Sequence, residues 1–302
     1  MIVSPIFYMG NKKRLIKKGL IELFPKDIDT FVDLFCGSAI VSMNTKANKY
    51  ILNEIDVYLI NLYKLFIDKN SEDIISHIEN RIEEFELPKE RTKRNVYQGD
   101  LNNIEKYKKA YMKFRNYYNN NKNVLDFYTL MFFSFSQQFR FNKNGNFNMP
   151  YGSDCFSENN KSYIINGCDF FSNKNIEITT DDFRNFNISK LCNNDFVYLD
   201  PPYLNTTATY NEQNGWTINE EKALYEFCEK LNENNIKFAL SNIFENKGNK
   251  NEYLINWCKQ NNWNIYTFNK FSYCACGIGD SNTKEVLITN YQLTKNKNMD
   301  II

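Results

Sequence analysis

Asp195-Phe196-Val197-Tyr198-Leu199-Asp200-Pro201-Pro202-Tyr203 reads as a short buried strand that delivers a carboxylate, two prolines and an aromatic ring to its carboxyl end. Four consecutive apolar residues, Phe196 to Leu199, suit a central parallel strand covered on both faces. Asp200 then falls just beyond the carboxyl end of that strand, where open α/β sheets collect their chemistry. Pro201 and Pro202 lack N–H groups and have fixed φ, so their carbonyls are held rigidly and no helix continues. Tyr203 adds a flat ring beside a carboxylate acceptor. Acceptor, rigid carbonyls and ring together suit a planar group carrying an amino group, such as a nucleobase edge. The same letters also suit an ordinary strand and proline turn, and the surrounding chain has to decide.

Working outward, 302 residues with 42% hydrophobic and 16% aromatic content describe a globular chain with room for one large domain or two modest ones. The net charge of +1 argues neither for nor against nucleic acid, so any basic footprint is local. No apolar run reaches the length of a membrane span and no signal peptide is evident, so a cytoplasmic setting without membrane is expected. The eight cysteines are scattered, and Cys274 with Cys276 has neither zinc-knuckle nor redox spacing. A single histidine, His77, in a polar helical stretch, removes His-based triads and most His metal sites. No metal is expected.

Upstream, Thr30 to Ile40 reads as a strand, Phe31 to Phe35, then a Gly37-Ser38 turn into a helix near Ala39. With one glycine this is not the dinucleotide fingerprint. A second strand, Tyr50 to Glu54, ends in an acid about 20 residues on, the position from which a carboxylate reaches ribose hydroxyls. Before both, Tyr8, Gly10, Asn11 and Lys12 form a loop feeding a helix that ends at Pro25. A helical segment from Val57 to about Pro88 follows, then a polar, mixed-charge stretch, Lys89 to Lys109. Tyr111 to Tyr118 and Val124 to Phe139 read as aromatic helices. From Ser136 to Gly152, apolar and polar residues alternate on both sides of Lys143-Asn144-Gly145, a hairpin signal. A two-stranded ribbon fits the DNA major groove, and Arg140 offers the donor pair that reads guanine. A structural hairpin covering a sheet edge is the other reading. Weak strand character is expected at Tyr163 to Ile165, and a strand from Glu177 that ends in Asp181, Asp182 and Phe183. Beyond Tyr203 the pattern predicts a helix over Glu220 to Leu231 and a strand over Ile236 to Asn242. A helix over Asn251 to Gln260, strands at Trp263 to Phe268 and Glu285 to Asn290, and a frayed tail after Thr294 complete it.

Taken together, the Tyr8–Lys12 opening, Asp33-Leu34-Phe35-Cys36-Gly37, the inserted hairpin, Asp200 to Tyr203, and Glu285 to Tyr291 occur in an order that resembles the Dam-type DNA adenine-N6 methyltransferases, especially the phage enzymes. The resemblance implies a Rossmann-like S-adenosylmethionine-dependent methyltransferase sheet (residues 1–58 and 160–302). It further implies an inserted, mostly helical target-recognition domain bearing a β-hairpin (59–159). S-adenosyl-L-methionine would be contacted by Tyr8, Lys12, Phe35, Cys36, Gly37, Ser38, Glu54, Asp182, Phe183 and Asp200. Glu54 stands where the family usually has Asp, keeping the acceptor on a longer arm. The catalytic set would be Asp200, Pro201, Pro202 and Tyr203. Gln138, Arg140, Asn142, Asn148, Pro150 and Tyr210 would contact double-stranded DNA, with GATC as the implied target and Tyr210 or a hairpin aromatic filling the duplex after base extrusion. A cognate restriction nuclease is compatible with this reading but not implied by it. RNA or protein-amide methylation on the same scaffold, or a non-catalytic DNA-binding descendant, are the rival expectations.

Overall fold

A computed structural model describes residues 1–91, 98–204, 216–268, 283–292 and 299–301, with backbone only for 98–102 and 299–301. Tyr210, Cys274 and Cys276 lie outside the described residues, as does the first part of the expected tail. The chain divides into two compact units, one of Met1, Lys12–Ile55 and Asn175–Ile302, the other of Ile2–Asn11 and Asp56–Lys174.

The first unit is built on strands β1 (Thr30–Asp33), β2 (Lys49–Asn53), β3 (Ile176–Thr179), β4 (Phe196–Leu199) and β5 (Lys237–Asn246). A two-residue β6 (Asn249–Lys250), β7 (Asn264–Phe268), β8 (Lys284–Thr289) and β9 (Met299–Ile301) complete the sheet. The order is β3-β2-β1-β4-β5-β8-β7-β9, with β6 paired to β5. β1 to β5 run parallel, with Val32 opposite Val197 and Tyr198 opposite Ala239. β8 is antiparallel to both β5 and β7. This is the Rossmann-like α/β sheet expected from the sequence. Its order reverses between β1 and β4, and that switch point is where such sheets leave a crevice at their carboxyl ends.

Continuous apolar sequence in β4 is explained by its two covered faces. Phe196 and Tyr198 meet Phe24, at ring-centroid distances of 4.8 Å and 5.3 Å. Val197 and Leu199 join the opposite core of Leu224, Cys228, Leu231, Leu254 and Trp257. Those residues come from helices α8 (Ile218–Glu233) and α9 (Glu252–Asn261). Thr217 and Glu220 form a capping box that starts α8 and satisfies orphan N–H groups of its first turn. Shorter helices, α1 (Lys13–Lys17) and α2 (Ile40–Asn44), follow the two N-terminal loops.

The second unit is helical: α3 (Val57–Asp68), α4 (Ser71–Phe85), α5 (Gln98–Asn121), α6 (Val124–Phe133) and α7 (Glu158–Asn173). Its core is aromatic, with Phe66 stacked near Phe171 and edge-on to Tyr128. Two expectations need correction, and one polar stretch gains an element. Tyr163 to Ile165 lies inside α7, not in a strand, because the Ser157–Asn160 capping box launches a helix that buries Ile164, Cys168 and Phe171. Much of the polar Lys89–Lys109 stretch belongs to α5, where its lysines need only one solvated face. Residues 299–301 pair with β7 in place of fraying.

The hairpin also differs from a regular two-stranded ribbon. Among the described residues its arms share only isolated bridges, Phe141 with Phe147 and Ser134 with Tyr151. The tip turns where expected, with Gly145 at φ +69° and Asn142 Oδ1 accepting from the N–H groups of Asn144 and Asn146. Gly152 closes the base, since a Cβ there would stand 2.4 Å from the Ser134 carbonyl oxygen.

Candidate active site

Three loops at the carboxyl end of the sheet bring the predicted residues of the first unit into defined arrangements. After β1, Leu34 N–H still donates to Tyr198 O, so the chain leaves the sheet only at Phe35. Gly37 at φ +50° and Ala39 at φ +55° then bend it sharply into α2. A left-handed alanine costs of order 1 kcal/mol, a strain that persists only where surroundings enforce it. The enforcing bonds come from β2. Asn53 O accepts from Cys36 N–H, and Glu54 Oε2 accepts from Gly37 N–H at 2.9 Å. Cys36, Ser38 and Glu54 are all buried.

Asn53, which the sequence reading passed over, fastens two loops at once. Its Nδ2 donates to Leu34 O at 3.1 Å and to Asp181 O at 3.0 Å. Its Oδ1 accepts from Thr179 Oγ1 and from Asp181 N–H. The loop after β3 is thereby drawn towards the loop after β1, and Phe183 lies 5.4 Å from Phe35. Trp216 completes an aromatic trio, 5.8 Å from Phe35 and 5.7 Å from Phe183. Asp182 caps the short turn at Phe183–Asn185 and binds Arg184 through both carboxylate oxygens, which holds its pKa below the usual carboxylate range.

The β4 end carries the charge. Lys12, only 4% exposed, has its Nζ 2.8 Å from Asp200 Oδ1 and donates to the Tyr203 hydroxyl at 2.6 Å. Tyr203 in turn donates to Asp200 Oδ1 at 2.9 Å. Both contacts fall on Oδ1, and 17% of the Asp200 side chain remains exposed. Pro201 is buried and Pro202 half-buried. A fourth member is read in the sequence only as the start of a strand and not as a site residue. Glu285 at the head of β8 is 3% exposed, 3.4 Å from Lys12 Nζ and 3.4 Å from the Tyr203 hydroxyl. Its one available signal was a charge at a buried position, which a strand-initial glutamate disguises as a solvated end. Burial raises the pKa of Asp200, and Lys12 and Tyr203 pull against that rise. Glu285 is likewise raised by burial, opposed by Lys12 and reinforced by Asp200.

Asp33, the last residue of β1, is buried against Ser42 Oγ at 2.6 Å. Desolvation pushes its pKa up to about 7 despite that hydrogen bond, with Asp200 and Glu54 adding to the rise. Asp33 therefore lies in the fields of Asp200 and Glu54, and Glu285 in that of Asp200, with the Lys12 ammonium beside Asp200 and Glu285. Such a donor set favours a cationic group. Among the described residues no cluster of three or more His, Cys, Asp or Glu side chains could hold a metal ion, and no helix is long and apolar enough to cross a membrane.

The remaining predicted residues lie in the second unit. Tyr8 stacks on Phe139 at 6.3 Å, and its carbonyl accepts from Asn11 Nδ2. Arg140 is exposed, donating from Nε to Asn148 Oδ1 at 2.9 Å. Gln138 is half-buried, with its amide on Ser136 O. Asn142 and Pro150 are exposed, the latter's carbonyl accepting from Phe135 N–H. His77 is no isolated surface residue: its Nε2 lies 2.8 Å from buried Asp126, which Arg81 also engages.

With that geometry in view, the comparisons are specific. The family model for D12 class N6 adenine-specific DNA methyltransferases matches residues 8–271. The type II methyltransferase M.FokI of Planomicrobium okeanokoites is 38% identical over 297 residues, covering 96% of this chain and 43% of that protein. Modification methylase StsI of Streptococcus sanguinis is 36% identical over 305 residues, covering 99% of this chain and 44% of its own. A DNA adenine methylase of Vibrio cholerae serotype O1 is 28% identical over 248 residues, 78% of this chain and 79% of that enzyme. The chain belongs to the D12 class of N6 adenine-specific DNA methyltransferases. It spans less than half the length of the first two relatives.

Proposed function

We propose that this chain methylates the N6 amino group of an adenine in double-stranded DNA, using S-adenosyl-L-methionine. The observation that carries the reading is the Lys12–Asp200–Tyr203 cluster at the switch point of the sheet, within a chain of this family.

S-adenosyl-L-methionine supplies an electrophilic methyl group on a cationic sulfur. The residues suited to hold it are the Phe35–Ser38 turn, Glu54 for the ribose, and Phe183 and Asp182 for the adenine, with Tyr8 and Lys12 from the N-terminal segment. The excess of buried carboxylates over ammonium groups fits a cation. Adenine N6 is a weak nucleophile because its lone pair is delocalised into the ring. Asp200, through the oxygen not used by Lys12 and Tyr203, and the Pro201 carbonyl would accept the two N6 hydrogens and so localise that lone pair. Lys12 and Tyr203 fix the carboxylate in place and oppose the rise in its pKa that burial causes, and fixed electrostatics are usually the largest part of such catalysis. Pro202 stiffens the backbone that carries the acceptor. Extruding a base costs a few kcal/mol, whereas a stack on Tyr203 returns about 1–3 kcal/mol. The Asp200 hydrogen bonds and a side chain filling the duplex, Tyr210 or a hairpin aromatic, make up the difference.

The second unit is the reader in this proposal. Arg140 takes a guanine edge, with Gln138, Asn142, Asn148 and Pro150 lining the same surface. The hairpin's likeness to Dam-type enzymes supports GATC as the site to test first. Purified protein, tritiated methyl donor and a GATC duplex should yield labelled N6-methyladenine. Label recovered only from duplexes lacking GATC overturns that site, and no label in any adenine-containing duplex overturns the activity.

A further inference from the structure

Helix α5 does something that nothing in the hairpin's own sequence requires. In the bridge between Phe141 and Phe147, Asn142 N–H donates to Asn146 O and Asn148 N–H donates to Arg140 O. That pattern turns the N–H and C=O of Phe147 away from the partner arm, as in any edge strand. Both are captured by one side chain: Phe147 N–H donates to Asn119 Oδ1 at 2.8 Å, and Asn119 Nδ2 donates to Phe147 O at 3.1 Å. Two residues along, Met149 O accepts from Tyr111 OH and Arg115 NH1, each at 3.0 Å. Two residues the other way, Gly145 O accepts from Lys122 Nζ at 2.7 Å, and the same ammonium reaches Asn146 Oδ1 at 2.9 Å.

The spacing is a physical match. Four helical residues rise about 6 Å, and two strand residues advance about 6.7 Å. Arg115 to Met149 and Asn119 to Phe147 therefore form two rungs of an antiparallel ladder in which a helix replaces a third strand, and Lys122, one residue beyond α5, adds a contact at Gly145 with its longer side chain. Asn148 sits between two of these rungs and holds Arg140 Nε at 2.9 Å. We infer that Asn119 is a positioning residue for base selection: it fixes the register of the return arm, and through Asn148 the presentation of Arg140. This rests on the base-reading role proposed for the hairpin. A slip of the return arm by two residues would exchange the Phe147 rung for Gly145 or Met149 and carry Asn148 away from Arg140.

The test compares kcat/KM on a cognate duplex with that on a duplex changed at the guanine assigned to Arg140. Asn119→Leu, which removes both bonds, should lower this selectivity about tenfold, with kcat on the cognate duplex within twofold of wild type. Asn119→Asp, which keeps the acceptor, should fall between. Amide exchange at Phe147 should speed up in step, while amides of β4 stay protected. Unchanged selectivity in Asn119→Leu, or an equal loss of kcat on both duplexes, overturns the inference. If Asn119→Leu does not fold, Lys122→Ala at the exposed tip carries the test. A two- to threefold loss of selectivity then supports the ladder and an unchanged value overturns it. Full selectivity in Arg140→Ala overturns the hairpin's reading role itself, and the inference with it.

Discussion

The β4 end and the hairpin, proposed as the sites of chemistry and of base reading, hold their side chains by opposite means. At the β4 end, charges are buried, Asp200 following a strand of the parallel ladder and Glu285 lying on antiparallel β8. In the hairpin, Arg140 and Asn142 are exposed, the arms share isolated bridges, and individual hydrogen bonds with the side chains of Tyr111, Arg115, Asn119 and Lys122 hold the backbone. Buried charge in a low-dielectric setting makes each partner indispensable, because a lone ion left behind is costly. Exposed hydrogen bonds contribute about 1 kcal/mol each and can be lost one at a time. On the proposed roles, chemistry at the β4 end should fail abruptly, whereas selectivity at the hairpin should degrade by steps.

That contrast is sharpest at Asp200. Asp200→Ala should lower kcat by at least 10²–10³-fold, roughly the loss seen when one preorganised electrostatic partner is removed, while DNA binding stays measurable. Near-normal turnover in a tritiated-methyl assay breaks the comparison on the catalytic side. Lys12→Met tests the cost of orphaned charge. It strands Asp200 and Glu285 without their ammonium, and destabilisation of about 3–5 kcal/mol is expected. The sign with pH follows. Both carboxyls then have folded-state pKa values raised further above their unfolded values, so the variant regains stability as pH falls and loses it as pH rises. A variant with the wild-type pH profile of unfolding contradicts this.

Asp33 probes the same field without a partner cation. Its folded pKa of about 7 lies above the ordinary 3.8, so between those values the native state keeps a proton that the unfolded chain has lost. Wild-type stability should therefore fall as pH rises through that window and level off above it. Asp33→Asn still accepts from Ser42 and lacks that slope. Its advantage over wild type should grow by an amount on the order of a few kcal/mol between pH 4 and pH 8. A pH-independent difference in urea midpoints rules the shift out. The smallest effect belongs to the hairpin. Arg140→Ala should cost about 1–3 kcal/mol of discrimination at one guanine. Uniform weakening on every duplex would instead make Arg140 a phosphate contact, and the two regions would differ less than proposed.

Much of this molecule was readable in its letters because the informative signals are local. An uninterrupted apolar run such as Phe196 to Leu199, a Gly37 turn, or an acid at the end of β2 depends on residues within a few positions of one another. The parallel sheet, the loop after β1 and Asp200 were legible for that reason. Tyr163 to Ile165 was misread since three apolar-rich letters suit either period, and only the Ser157–Asn160 cap selects the helix. Long-range side-chain bonds, to backbone or to another side chain, carry no period at all. Asn53 clasping two loops, Glu285 sharing Lys12 with Asp200, and Asn119 completing the edge of a hairpin 28 residues away use residue types that are equally at home on any surface. Their roles arise when folding brings separated segments within about 3 Å, the range at which a hydrogen bond discriminates geometry. The linear order of residues decided which strand would end in a carboxylate. Packing decided that the carboxylate would share its lysine, and which helix would hold the hairpin's edge.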